Sequence, residues 1–260
     1  MLITLSPSKG QDFETPGLSK TYSKPEALKD SERLIKELRK IKQKDIQDLM
    51  SVSENIAKLT VDRYKAFNTP FTPKNAKQAI FAFKGDVYSG IDIETFKEAD
   101  LKYAQDHLRI LSGLYGCLRP LDLIQPYRLE MKTKLANARG DNLYQFWGDR
   151  ITDELNKELE KQQEPVLVNL ASNEYFKSVK PKKLKGRLLN INFKETKDGK
   201  TRIVAIFAKR ARGMMADYIL RNRIEKPEDI KKFNAGGYRF SKQLSDDKQW
   251  TFVRPQPSSV

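Results

Sequence analysis

Residues 108–131, LRILSGLYGCLRPLDLIQPYRLEM, concentrate the side chains best suited to holding an anion. Arg119, Asp122, Tyr127, Arg128 and Glu130 fall within a dozen residues, punctuated by Pro120 and Pro126 and preceded by Gly113 and Gly116. Glycine lets backbone N–H groups approach a ligand closely, and proline stiffens the path of the chain. A stiff polar loop on a rigid scaffold is a place where function collects. Lys9 follows the first apolar run, Glu174 and Tyr175 follow the run VLVNL, and Arg212 lies in AKRARG. Lys9, Arg119, Arg128, Lys209 and Arg212 would bind an anion, with Glu130, Glu174, Tyr127 or Tyr175 as acid or base. Lys9, Arg119, Arg128 and Arg212 brought together repel and Glu130 alone does not neutralise them, so convergence on one concave site would create an appetite for an anion. The alternative is that Arg128 pairs with an acid at the surface and the others extend separately into water.

A second set of residues suits a polyanion. The turn SGLYG resembles the hairpin of a helix-hairpin-helix element, in which Gly113 and Gly116 would free N–H groups for a DNA backbone; it reads equally as a helix C-cap followed by a tight turn. The segment KSVKPKKLKGR carries Lys177, Lys180, Lys182, Lys183, Lys185 and Arg187 with no acid. Such a run either neutralises phosphates, giving affinity without sequence preference, or is a solvated loop. Lys209, Arg210 and Arg212 stand at the start of an expected helix, where cations are disfavoured unless an anion compensates or water solvates them. Ser172, Glu174 and Tyr175 also fit ordinary N-cap chemistry. His107 is the single histidine and Cys117 the single cysteine. Neither offers a catalytic triad or metal-ligand spacing, so no metal and no cofactor is expected. Cys117 would be reactive only beside Arg119, and is otherwise a buried thiol.

Composition narrows the classes. The 260 residues carry 49 Lys and Arg against 34 Asp and Glu, a net charge of +15, and the excess is uneven. Residues 1–100 hold 17 basic against 15 acidic residues, whereas residues 101–260 hold 32 against 19. A basic second part reads either as a surface facing a polyanion such as DNA or as a solvated lysine-rich surface. One cysteine excludes an internal disulfide. No apolar run approaches membrane-spanning length, so no membrane partner is expected, and MLITLSPSKG lacks the charged and apolar regions of a secretory signal. A cytoplasmic setting is the expectation.

The elements that must position these residues follow from pattern. Leu2–Leu5 and the run VLVNL at 166–170 are apolar enough for buried strands. Helical spacing covers about 25–41, with Pro25 in the first turn, and about 44–66 with a break near 51–53. Ala79 to Phe83 reads as a strand, 95–112 and 143–161 as helices, 187–195 and 201–207 as a hairpin turning at Asp198-Gly199, and 208–223 as a helix. A short helix near 227–233 and one or two strands complete a mixed pattern. The expected fold is α+β, a single domain over 1–254 with a central mixed β-sheet flanked by helices and a helix-hairpin-helix-like element, and residues 255–260 as a flexible tail.

Several blocks resemble the YaaA family of bacterial peroxide-stress proteins: MLITLSPSK, FTPKNAKQAIFAFKGDVYSG, LRILSGLYGCLRPLDLIQPYRLEM, ARGDNLYQFWGD, VNLASNEYFKSVKP and FAKRARGMMADYI. They extend from residue 1 to about residue 220. The resemblance implies a single-domain α+β cytoplasmic protein that protects cells during hydrogen peroxide stress. It further implies a link to limiting free iron, and DNA binding through a basic cleft and a helix-hairpin-helix-like element. An enzyme acting on a small anionic or nucleotide-like substrate is the competing expectation from the residues themselves.

Overall fold

The four side chains of Leu2–Leu5 are all buried, which a strand achieves only when sheet neighbours and both sheet faces are covered. In the computed structural model, which describes residues 1–257, this run is β1 (Leu2–Leu5), central to a mixed sheet. The chain continues through β2 (Gly10–Gln11), helices α1 (Leu28–Leu38), α2 (Gln43–Met50) and α3 (Glu54–Ala66), then β3 (Lys77–Gln78), α4 (Ala79–Ala82) and β4 (Phe83–Lys84). Helix α5 (Glu98–His107) leads directly into β5 (Leu108–Ser112), followed by β6 (Gly116–Leu118), β7 (Leu123–Ile124), α6 (Leu143–Trp147), α7 (Arg150–Leu159), β8 (Val166–Asn169) and α8 (Asn173–Phe176). The last part is β9 (Arg187–Lys197), β10 (Lys200–Arg202), α9 (Ala205–Arg221), β11 (Arg239–Phe240) and β12 (Gln249–Pro255).

Among the described residues the main sheet has eight strands, in the order β11-β12-β9-β8-β1-β5-β6, with β10 paired to β9. β1 runs parallel to β5 on one side, with Ile3 opposite Leu108, and parallel to β8 on the other, with Ile3 opposite Val168. β8, β9 and β12 are also mutually parallel, while β6, β10 and β11 run antiparallel to their neighbours. The chain moves from β1 to β5, then returns to place β8 on the far side of β1. The strand order therefore reverses at β1, and the crevice outside the carboxyl ends of strands at such a reversal is where open α/β sheets bind ligands.

β9 is longer than its neighbour. β8 pairs only with Arg187 to Asn190, and β10 takes up the same edge at Glu195 to Lys197. β12 follows β9 on its other edge from Asn190 to Thr196. The β9–β10 end thus projects beyond the carboxyl end of β8. It is braced underneath by an aromatic cluster of Phe193, Phe233, Tyr238 and Phe252.

The single-domain α+β fold with a mixed central sheet is as the patterning indicates, and several local expectations are corrected. The helix expected over 95–112 ends at His107, because Leu108–Ser112 is wholly buried and completes β1's edge as β5. Gly113 and Gly116 consequently sit in the β5–β6 hairpin, not between helices. Both are buried, and a Cβ at Gly113 would lie 2.3 Å from the Leu129 carbonyl oxygen and one at Gly116 2.7 Å from the Trp147 ring. Their requirement is close packing, and no helix-hairpin-helix presents them to DNA. The strand expected over Ala79 to Phe83 is helix α4, its entry fixed by N–H bonds from Ala79 to the Asp122 carbonyl and from Ile80 to the Pro120 carbonyl. The helix expected over 143–161 is two, broken at Gly148 with φ +53°. Of the expected tail, Pro255 closes β12 and the Gln256 N–H donates to the Thr196 carbonyl at 2.9 Å; residues 258–260 lie outside the described residues. No described helix is long and apolar enough to cross a membrane.

Candidate functional site

The loops leaving β1 and β8 are stitched together at the carboxyl edge of the sheet. The Ser172 N–H donates to Ser6 Oγ at 2.8 Å, Ser6 Oγ donates to Ser172 Oγ at 3.2 Å, and the buried Tyr88 hydroxyl donates to the Ser6 carbonyl at 3.1 Å. Asn169, the last residue of β8, accepts from the Ala171 N–H and donates to Asn190 of β9, each at 2.9 Å. Ser8 donates to the Lys84 carbonyl and Gly10 pairs with Lys84, so the β1 exit loop is bound along a second strand pair. These bonds fix the backbone from which Lys9 projects.

The segment after β7 is anchored as firmly. The Tyr127 N–H donates to Gln11 Oε1 at 3.1 Å, the Tyr127 and Ser112 hydroxyls are 2.7 Å apart, and the Tyr64 hydroxyl of α3 donates to the Arg128 carbonyl. Glu130 emerges from this segment with its side chain only 10% exposed, surrounded by cations. Lys9 Nζ lies 2.9 Å from its carboxylate, Lys132 Nζ 3.4 Å and Arg128 Nη2 3.7 Å. Arg128 Nε is buried without a hydrogen-bond acceptor among the described residues. Arg63 of α3 is close enough to feel Arg128: burial and then the Arg128 charge push its guanidinium pKa below the ordinary value.

Glu130 and the neighbouring Glu174 stand against Lys9, Arg128, Lys132 and the nearby Arg63, which leaves an excess of positive charge. The arrangement suits a phosphate or carboxylate oxygen arriving from solvent, since charge-assisted bonds from guanidinium and ammonium groups are among the stronger ones available. The neighbouring tyrosines act differently from the cations. Burial raises the Tyr127 pKa, and burial followed by Tyr127, Glu174 and Glu130 raises that of Tyr175. Both stay protonated near neutral pH, fitted to donate a hydrogen bond and unfitted to serve as bases. Glu174 lies alongside, accepting from the Lys132 N–H at 3.4 Å.

The sequence-derived groups separate accordingly. Lys9, Arg128 and Glu130 converge, with Tyr127, Glu174 and Tyr175 around them. Arg119 does not join: its guanidinium donates to Asp122 and to the Lys24 carbonyl, both at 2.9 Å, and lies 3.9 Å from Glu26. Since the Asp122 side chain is 1% exposed, Arg119 serves to neutralise a buried acid. Arg212 is partly buried on α9, and burial lowers its pKa; no ion pair joins it to Glu130 among the described residues.

The 177–187 run is divided. Lys183 pairs with Asp149 at 2.6 Å and Lys185 with Glu160. Lys177 lies over the Tyr144 ring at 5.2 Å, and Arg187 lies over the Trp250 ring at 5.7 Å. Lys180 and Lys182 have no acid within ion-pair distance among the described residues. Lys209 reaches Asp86 at 3.4 Å, and Arg210 is exposed. Cys117 is buried, its thiol pKa pushed up by burial and then by Glu154. His107 is half-buried, its Nδ1 2.9 Å from the Met1 carbonyl and its ring stacked on Tyr103.

Sequence reasoning missed Arg63 and Lys132. Lys132 stands two residues beyond Glu130 in LEMKTK, inside a turn closed by the Thr133 N–H donating to the Glu130 carbonyl at 3.0 Å, which folds its side chain back to the Glu130 carboxylate. Arg63 left no such signal, because only the tertiary docking of α3 brings it to Arg128.

The peroxide stress protein YaaA family matches residues 1–244 of the chain. A UPF0246 protein of Cellvibrio japonicus (strain Ueda107) is 48% identical over 257 residues, covering 99% of this chain and 100% of its own length. A UPF0246 protein of Azoarcus sp. (strain BH72) is 52% identical over 260 residues, covering 98% of this chain and 100% of its own.

Proposed function

The chain belongs to the peroxide stress protein YaaA family, and from that premise we propose that it is a cytoplasmic DNA-binding protein of the peroxide-stress response. The observation that carries the DNA reading is the cluster at the carboxyl edge of the sheet. Lys9, Arg128 and Lys132 share the carboxylate of Glu130, and Lys9 and Lys132 keep their ammonium groups largely exposed to an incoming anion. A backbone phosphate is the group that would relieve this imbalance, and the net charge of +15 would draw a polyanion to it. Contacts of this kind position a duplex without reading its sequence.

The link to iron follows physically from the same contacts. Duplex DNA carries a condensed layer of counterions, and each phosphate neutralised by a Lys or Arg releases some of them. A protein spread over the duplex would displace ferrous iron from the place where its reaction with peroxide does damage. Protection would then require no iron-binding residues.

Titration of a labelled mixed-sequence duplex, followed by fluorescence anisotropy at several salt concentrations, tests the proposal. Binding should weaken steeply between about 50 and 200 mM salt, with little difference between sequences. Absence of binding at low salt would remove the DNA reading. If inorganic phosphate or a mononucleotide then bound tightly at the Glu130 cluster, the small-anion enzyme reading would take its place.

A further inference from the structure

The segment KETKDGKTR, residues 194–202, holds four cations and two acids in sequence, yet the fold does not expose them equally. Glu195 is fully buried under the sheet: it accepts from the Tyr238 hydroxyl, accepts from the Val204 N–H at 3.2 Å, and faces Arg254 at 3.5 Å. Asp198 occupies the turn with φ +50°, beside Gly199 at φ +72°. Lys197, Lys200 and Arg202 are exposed, and Lys194 is partly so. None of the four has an ion-pair partner among the described residues. The projecting end of β9 and β10 therefore shows solvent an excess of positive charge that the sequence conceals. The more conspicuous 177–187 run, by contrast, has Lys183 and Lys185 paired with acids.

This basic tongue is physically continuous with the Glu130 cluster. Lys9 precedes Gly10, which pairs with Lys84. Two residues beyond Lys84, Asp86 meets Lys209 of α9 at 3.4 Å. Arg210 follows Lys209 on the first turns of α9, and the chain runs back from there through Ile203 to Arg202 of β10. Ile203 is 53% exposed and Ile206 39% exposed along this path, so a contact here would also remove apolar surface from water. Chain adjacency and the Gly10–Lys84 pairing thus connect the cluster to the tongue; along that route Lys84 lies 3.9 Å from Asp12 and Lys209 3.4 Å from Asp86, and Arg210, Arg202, Lys200 and Lys197 are the cations without ion-pair partners among the described residues.

We propose that the β9–β10 tongue, with the first turns of α9, is the principal docking surface for the backbone of duplex DNA, extending the phosphate contacts of the Glu130 cluster along the strand. The proposal rests on the DNA reading and adds to it where most of the affinity resides. Charge complementarity selects this partner: unpaired ammonium and guanidinium groups spaced along a strand edge and a helix start match a row of phosphates, and each neutralised phosphate steepens the salt dependence by about 0.9 in the log–log slope. An anionic membrane surface would use the same charges and is the competing outcome.

The test compares the wild type with the triple variant Lys197→Gln, Lys200→Gln, Arg202→Gln. A control of equal charge change, Lys36→Gln, Lys44→Gln, Lys58→Gln, sits on exposed positions of α1, α2 and α3. Duplex affinity is read by anisotropy across a salt series, with circular dichroism to confirm folding. The tongue variant should bind about tenfold or more weakly near physiological salt, with a slope shallower by roughly 2 to 3, while the control moves the slope by less than about 1. Thr201→Lys, which adds a cation to β10, should tighten binding and steepen the slope by about 1. If the wild type binds and the tongue and control variants weaken alike, the docking surface is overturned and the DNA reading stands. Retained duplex binding by the tongue variant, with lost binding to vesicles containing anionic phospholipid, would overturn it in favour of a membrane. A wild type that binds no duplex at low salt overturns the DNA reading and the docking surface together.

Discussion

Glu130 is the residue whose removal most directly tests the cation cluster. It is the shared partner of Lys9, Arg128 and Lys132, and Glu130→Gln keeps its shape while deleting its charge. Stability should fall by about 1–2 kcal/mol, a modest figure because Lys9 and Lys132 remain largely in water. Duplex affinity should rise and its salt slope steepen by about 1, since cations freed from the carboxylate become available to phosphate. Weaker binding by this variant would mean that Glu130 organises the cations and does not compete for them. A second carboxylate has a pH signature. Glu154 on α7 is pushed up to about 8, by burial first and then by Glu26, with Asp122 adding to the effect. Its folded pKa exceeds the ordinary value of 4.5. The unfolded chain therefore releases this proton first as pH rises, and the stability it contributes at low pH is lost between about 4.5 and 8. Glu154→Gln mimics the protonated form and should raise the melting temperature at pH 8 while leaving it nearly unchanged at pH 5. An equal shift at both pH values would show that Glu154 does not titrate in that window.

Elements differ in how openly they declare themselves. Leu2–Leu5 and Val166–Asn169 are buried apolar runs bounded by polar loops, and nothing competes with the strand reading. The Asp198-Gly199 turn is equally plain, because both residues take positive φ. The second strand of that hairpin stops at Arg202, sooner than its pattern suggests, since α9 begins at Ala205. Residues 108–112 mislead because a short apolar run after a helix fits a further helical turn as well as a strand; the vacant edge of β1, a long-range partner, decides. Within the site, Lys9, Arg128 and Glu130 were legible as a group from their loops. The separation of Arg119 was written in the spacing RPLD, which brings Asp122 within reach three residues on. The hidden asymmetry of residues 194–202 was not legible, because alternation along β9 buries Glu195 only once the aromatic cluster is in place.

The junction of α9 with the segment Tyr88–Gly90 lets two opposing effects be weighed at this scale. Gly213→Ala gains up to about 1 kcal/mol of helix propensity, but its Cβ would sit 1.8 Å from the Val87 carbonyl oxygen. A backbone atom cannot step aside as a side chain can, and overpacking of this kind costs typically 1–3 kcal/mol or more. The clash should win, lowering the melting temperature by several degrees in calorimetry. A more stable variant would show that the two segments part without cost.

At the scale of the whole molecule, the distribution of charge matters more than its sum. The front hundred residues are nearly balanced and the remainder is strongly basic, and among the described residues the fold leaves a path of cations without ion-pair partners, Arg210, Arg202, Lys200 and Lys197, from the first turns of α9 to the β9–β10 tip. If this path covers phosphates, protection of DNA should depend on occupancy of the duplex and not on removal of metal from solution. Plasmid DNA exposed to ferrous iron and hydrogen peroxide should be nicked less as the protein is added, with protection saturating when the duplex is covered. Raising salt to the point where binding is lost should abolish protection, because the released protein no longer displaces counterions. The comparison should be made at each salt against DNA without protein, since salt itself displaces iron from phosphate. The tongue variant, weakened for DNA, should need proportionately more protein for the same protection. A chelating protein would behave differently, holding its protection at high salt and following its ratio to iron instead of its ratio to base pairs. Protection that survives the loss of DNA binding would therefore place the protein's effect on peroxide damage somewhere other than this basic path.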